Sequence, residues 1–458
     1  MADRTVPARR PAPAPGALAA FTGFTGFTGF TARIEAATPA GRDRGVDALR
    51  ALAVAGVVTG HWLITAWAPR PGGTVRVSSP LTYMPWLTPA SWVLQTLAVF
   101  FFVGGYAAAR SLRSAAGYRV WVRARMRRLL RPVGLPALVW AGVAAGLAVG
   151  GMPVGPIRSL VQPAAGPVWF LAVFAALTAA TPLLRAAPLA VAGSAAAVVL
   201  AADAVRFGLG GPSWPGWVNV VAGWLVPYAL GVAWAGGALT SRRVAAGMLA
   251  AGAAGTAALV TWFGYPASMV GVTGAKVSNL SPPTLAVVCF GVAQVGLALL
   301  VREPLARLMR RPRLWAAVAL VNLSAMTVFL WHQTVLAAAA LAALRLGGLP
   351  GLVEAPTGPA WLAHRLAWLP VLAALLTLVV PAVRAAGRLR GGRTAGGDGR
   401  IAVEDGGEAD TRDGRPAEDG GEAGTRGGRP VEDGRAPGGS AVDLPGPGEP
   451  ASGRSLRV

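Results

Sequence analysis

Residues 46–67 read VDALRALAVAGVVTGHWLITAW, and this stretch decides how the rest of the chain is read. A helix needs about 20 largely apolar residues to cross the hydrocarbon core of a bilayer, and this run has that length and character. Its ionisable groups are few: Asp47 and Arg50 lie one helical turn apart near its start, and His61 follows eleven positions after Arg50. Arg50 can snorkel to a headgroup at the membrane boundary. At ~1.5 Å rise per residue, His61 stands ~16 Å deeper, where a short imidazole needs a polar cavity or a partner inside the bundle.

Nine further runs have comparable character, and the ten predicted spans fall near 46–68, 90–109, 133–150, 167–184, 188–203, 217–238, 244–264, 283–301, 315–343 and 360–383. The fold expected is therefore all-α, a polytopic membrane helix bundle. Composition agrees, since 54% of the chain is hydrophobic and only 14% charged, which excludes an ordinary soluble domain. The formal net charge of +22 would suit a nucleic-acid binder, but its distribution does not. Before residue 384 there are 30 basic and 7 acidic residues, whereas the remainder holds 12 Arg against 13 acidic residues.

Within the bundle, 22 basic residues fall in one set of inter-helix segments and six in the alternate set. By the positive-inside rule both termini are expected to be cytoplasmic, in a multi-pass protein of the cell membrane, with no nucleic-acid partner. Cys289 is the single cysteine, which excludes a disulfide framework and a cysteine-based metal site. No cleavable signal peptide is evident in the Pro-, Ala- and Arg-rich beginning.

Three regions follow: a flexible basic segment 1–45, a transmembrane domain 46–383 and a disordered Gly/Pro/charged tail 384–458. The first holds FTGFTGFTGFT (21–31), too short to span, for which loose interfacial contact and a functionless slippage repeat both remain open. The tail carries a 14-residue repeat, VEDGGEADTRDGRP followed by AEDGGEAGTRGGRP.

Ionisable groups inside a bilayer are costly and point to function. Besides Asp47, Arg50 and His61, the spans hold Asp203, His332, His364 and Arg365. His332, in MTVFLWHQTVL, reaches a depth similar to that of His61, so the two suggest a shared cavity; a satisfied structural histidine is the alternative for each. Asp203, His364 and Arg365 fall at the outer boundary and read as interfacial anchors. Between the second and third spans lie eight arginines, including Arg127, Arg128 and Arg131 in RMRRLLRP. That excess asks for a polyanion, either anionic lipid or a nucleotide with several phosphates such as coenzyme A. A spacing of three sets Arg125, Arg128 and Arg131 on one helical face.

Several short motifs occur in order: Arg50 and His61 with ten residues between them in a helix opening RGVDALRALAVAGVV, then FFFVGGY, RRLLRP, GPVWFL (166–171) and VFLWHQTVL. Together, over about residues 40–383, they resemble the integral-membrane acyltransferase-3 family. The resemblance implies a ten-helix O-acyltransferase that takes an acyl group, acetyl foremost, from cytoplasmic acyl-CoA. The acceptor would be a hydroxyl of a glycan, lipid or secondary metabolite, and no metal is called for. His61 would be the catalytic general base and Arg50 its paired arginine, while Arg128 and Arg131, with Arg127 beside them, would bind the coenzyme. Asp47, Tyr106, Trp169 and His332 are candidate substrate or supporting residues. Two departures stand out: Gly104 occupies a position that is usually serine, and no acidic residue follows Trp169, which leaves His61 without an evident orienting partner. Intramembrane histidines would also suit a proton-coupled transporter or flippase, though no internal repeat of half-bundles is visible.

Overall fold

The computed structural model describes residues 23–69 and 75–391. Among these, ten helices are long and apolar enough to cross a membrane. The first five are α1 (Arg44–Ile64), α2 (Pro85–Arg113), α3 (Tyr118–Val149), α4 (Val154–Ala179) and α5 (Pro188–Gly208). The others are α6 (Trp214–Ala235), α7 (Arg242–Trp262), α8 (Leu285–Leu308), α9 (Pro312–Arg345) and α10 (Pro359–Val383). The expectations of a flexible basic N-terminus and a disordered tail fall largely on residues 1–22 and 392–458, outside those described. The helix that contains α10 continues to Gly391, past the expected start of the tail. Part of the FTG repeat belongs to a further helix, Gly23–Ala36, which packs on the start of α9 through Ile34, beside Met309 and Trp315.

Helix starts follow from local chemistry. Asp43 caps α1 by accepting hydrogen bonds from the Gly45 and Val46 amides at 3.1 Å, satisfying two N–H groups the helix itself cannot reach. The expected span 46–68 overruns, because the chain leaves the helix at Ile64 and Ala66–Pro69 (β1) pairs antiparallel with Val75–Ser78 (β2), Ala66 opposite Ser78. The fourth span begins at Val154 rather than 167, and Pro182 starts the separate turn Thr181–Leu184. Span α2 is two helices in line, Thr88–Leu94 and Leu97–Arg113, parted by non-helical Gln95 and Thr96. A break at such depth is tolerated only where it is buried in protein or lines a cavity.

The core forms where α2 meets α6. Phe101 and Phe102 are fully buried and stack on Trp224 and Trp234, each at 5.2 Å between ring centroids. Close approach here requires glycine: a Cβ on Gly105 would overlap the Tyr228 carbonyl, and one on Gly231 would overlap that of Phe102. Phe170 and Phe174 of α4 complete the aromatic cluster against Phe100 and Phe101.

Asp203, expected as an interfacial anchor, is instead buried and ties three elements together. It accepts from the Leu285 amide at 2.7 Å, the Tyr265 hydroxyl at 3.0 Å and the Asn219 side-chain amide at 3.2 Å. Burial, and next the Asp203 carboxylate beside it, push the Tyr265 phenol above its ordinary range. Arg365 likewise departs from the anchor reading. It is fully buried, donates to the Thr65 carbonyl at 2.9 Å and lies 5.0 Å from the Trp361 ring centroid, clamping the end of the helix that carries His61.

Candidate active site

His61 occupies the last turn of α1, and the neighbouring helix α9 presents His332 to it. The Nδ1 atom of His61 lies 2.7 Å from Nε2 of His332, with the rings stacked at 5.0 Å between centroids. On its other side, Nδ1 of His332 lies 2.7 Å from the Phe329 carbonyl oxygen. A carbonyl only accepts, so Nδ1 of His332 carries a proton and, in the neutral ring, its Nε2 is the acceptor. Nδ1 of His61 is then the donor. That assignment leaves Nε2 of neutral His61 with a lone pair and no proton, the form a general base requires. The Trp62 indole donates to the His332 carbonyl at 2.9 Å and fixes α1 against α9 at this level.

His61 lines a cavity of about 100 Å³ between α1, α2, the turn at Pro80 and Leu81, the segment 270–280 and Leu362 of α10. Its walls are apolar, with Val57, Ile64, Leu94 and Leu280 among them. The chain leading into that segment is held to α2 by two bonds, Trp92 Nε1 to the Ala267 carbonyl (2.8 Å) and the Met269 amide to Ser91 Oγ (3.1 Å), and the segment itself is held to the turn Pro80–Tyr83 by Thr82 Oγ1 to the Thr273 carbonyl (3.1 Å). Ser91 is the one hydroxyl residue of the lining, and it also donates to the Thr88 carbonyl at 2.6 Å. It has no base beside it to make it a nucleophile. Gln95 lines the same cavity and is buried, yet neither its amide nitrogen nor its amide oxygen has a partner.

At the opposite, arginine-rich end of α1, Asp47 is buried and pairs with Arg42 at 2.7 Å and Arg50 at 3.7 Å. Its backbone carbonyl accepts from Asn322 of α9 at 2.9 Å. Arg125 bonds to Ser111 and the Ala107 carbonyl of α2 and lies within electrostatic reach of both Arg50 and Arg128. Three helices thus converge on one cationic group. Arg127 and Arg131 are exposed on the same arm and form no ion pair among the described residues. On the other flank of α2 a cavity of about 500 Å³ is lined by Arg110, Arg113, Arg302, Tyr106 and Trp234. Tyr106 accepts from Arg110 at 3.0 Å and packs on Trp234 at 4.2 Å, while Arg302 pairs with Asp43 at 2.6 Å.

Trp169 is 39% exposed, and its neighbour Phe170 packs on Phe329 at 5.1 Å between ring centroids. Among the described residues no group of three His, Cys, Asp or Glu side chains could hold a metal ion. The residues that sequence reasoning passes over are Gln95 and Arg302, whereas Arg110 and Arg113 are counted among the eight arginines that ask for a polyanion. Gln95 carries no charge, so a search for ionisable groups inside spans does not find it, and Arg302 is absorbed into the topology signal.

A family described as an acyltransferase domain, acyltransferase-3, matches residues 43–384 of the chain. No curated protein and no solved structure matches it.

Proposed function

The chain belongs to the acyltransferase-3 family, and from that premise we propose that it moves an acyl group from acyl-CoA to a hydroxyl acceptor with His61 as general base. The observation that carries this reading is the chain of bonds from His61 through His332 to the Phe329 carbonyl, which leaves the outer nitrogen of His61 free beside a cavity. Distribution of arginine supports placing the termini and the coenzyme in the cytoplasm, in a protein of the cell membrane.

The phosphates of coenzyme A would meet Arg50, Arg125 and Arg128, with the three-arginine cavity on the other flank of α2 open to the remainder of the nucleotide. From there to His61 is ~16 Å along α1, a reach that suits the pantetheine arm. In the chemical step the acceptor oxygen attacks the thioester carbonyl as His61 Nε2 takes its proton. The new C–O bond forms, the C–S bond breaks, and the departing thiolate takes the proton back from His61. Donation from Nδ1 of His61 to His332 spreads the transient positive charge over both rings. The acceptor belongs to the class of glycan, lipid or metabolite hydroxyls.

The test is thiol release from acyl-CoA by the purified protein in lipid nanodiscs, with and without extracts of surface glycans and membrane lipids. Acceptor-stimulated release that disappears in folded His61→Ala is expected. A His61→Ala protein with normal turnover overturns the reading.

A further inference from the structure

We propose that the apolar cavity beside His61 is an acyl-chain subsite sized for a donor of about four carbons rather than acetyl, and that the Gln95 amide in its wall holds the thioester carbonyl. This rests on the acyl-transfer reading above and narrows its substrate class.

Direction assigns the occupant. With the coenzyme's phosphates at the arginine-rich end, the sulfur of the thioester approaches His61 from that side. The carbons beyond the carbonyl therefore continue past His61, where Ile64, Leu81 and Leu362 line the cavity. A polyhydroxylated acceptor does not suit these walls, because each of its hydroxyls would lose water without gaining a partner. An alkyl chain loses nothing there. Size sets the length: an apolar cavity of roughly 150 Å³ accepts a six-carbon ring, so the present volume of about 100 Å³ accepts roughly four carbons.

Two features of the cavity wall fit a carbonyl that becomes an oxyanion. Gln95 is 3% exposed, lines the cavity and keeps an amide N–H with no acceptor, a costly arrangement unless a ligand supplies one. It also sits in the break of α2, directly ahead of the helix Leu97–Arg113, whose N-terminus no side chain caps. The positive end of that helix dipole and the free amide together favour developing negative charge.

The experiment is a donor series, acetyl- to octanoyl-CoA, scored by kcat/KM for thiol release with water as the acceptor, so that the natural acceptor need not be known. Each buried methylene is worth about fourfold, so butyryl-CoA is expected to exceed acetyl-CoA by roughly fifteenfold, with octanoyl-CoA falling away. Leu94→Phe should remove the four-carbon preference, and Leu94→Ala should move the optimum to longer chains. Gln95→Leu should lower kcat about a hundredfold while leaving the chain-length profile in place. Protection of each variant from thermal unfolding by its preferred acyl-CoA gives a second reading of the same preference, independent of turnover. An acetyl optimum that neither Leu94 variant moves overturns the subsite and leaves acyl transfer intact, and undiminished kcat in Gln95→Leu overturns the carbonyl contact. If no acyl-CoA of any length binds or turns over, the acyl-transfer reading falls and this one with it.

Discussion

His61 and His332 are 271 residues apart in the chain and share one hydrogen bond, Nδ1 to Nε2 at 2.7 Å. The partner of the proposed base is thus a neutral ring, itself oriented by the Phe329 carbonyl, rather than a carboxylate. Such a pair fixes the tautomer of His61 without placing a full negative charge in the membrane interior, where it would need its own compensation.

From this follows a prediction about His332. If it orients His61 and shares the proton, His332→Ala should lower kcat by about 10²–10³ with little change in KM for the donor. His332→Gln, which can still accept from Nδ1, should recover part of that loss. The double variant with His61→Ala should be no slower than His61→Ala alone, because the two residues act as a unit. Steady-state kinetics on wild type and the four variants decides it, and additive losses would show independent roles.

The coenzyme end predicts a different kinetic signature. Arg50 and Arg128 both lie within reach of Arg125, and bonds between arginine and phosphate are charge-assisted. Arg125→Gln and Arg128→Gln should each weaken acyl-CoA binding roughly tenfold or more, seen as a rise in KM with kcat nearly kept. The wild-type affinity should fall with added salt, and more steeply than in either variant. Equal losses in kcat instead would place these residues in the chemistry.

Much of this architecture is legible in residue order. Apolar runs of spanning length locate all ten helices, because a bilayer imposes one length on every element. The depth argument that put His61 and His332 at one level needs only the rise of a helix and alternating topology, and the two rings do meet. Side-chain direction is where sequence reading stops. Trp169 and Phe170 are adjacent, and only packing decides that Phe170 turns inward to Phe329. Arg365 looks like an anchor by position, but the Thr65 carbonyl and Trp361 ring that bury it come from contacts no spacing reveals. The break at Gln95 and Thr96 is equally silent, since an interrupted helix has the same hydropathy as a continuous one.

The adjacent glycines of α2 separate by what faces them. Beyond Gly104 lies the ring edge of Phe174, a packed side chain that would have to shift, whereas Gly105 faces the rigid Tyr228 carbonyl on α6. Gly104→Ser, which introduces the residue usual in the family, should therefore cost less stability than the same change at Gly105. Gly105→Ser should force α2 and α6 apart, costing about 1–3 kcal/mol or more. Thermal melting of the two variants in the same nanodiscs provides the comparison, and equal melting temperatures would mean the helices can separate freely.

The last prediction concerns pH and the tie at Asp203. Tyr265 donates to Asp203 at 3.0 Å, and burial followed by that carboxylate raises its phenol above the ordinary value. An acid whose folded-state value is raised binds its proton more tightly when folded. Its stabilisation is complete below the unfolded value of about 10, then is lost as pH rises through the folded one, because the unfolded chain ionises first. Wild-type protein should accordingly lose melting temperature above about pH 10, and Tyr265→Phe should lose less over that window. At neutral pH the order reverses: Tyr265→Phe removes one donor to Asp203 and should melt below wild type. Asp203→Ala, which leaves the Leu285 amide, the Tyr265 hydroxyl and the Asn219 amide without their shared acceptor, should melt lower still. Identical alkaline slopes for wild type and Tyr265→Phe would remove Tyr265 from the account and leave the buried carboxylate to the other two donors.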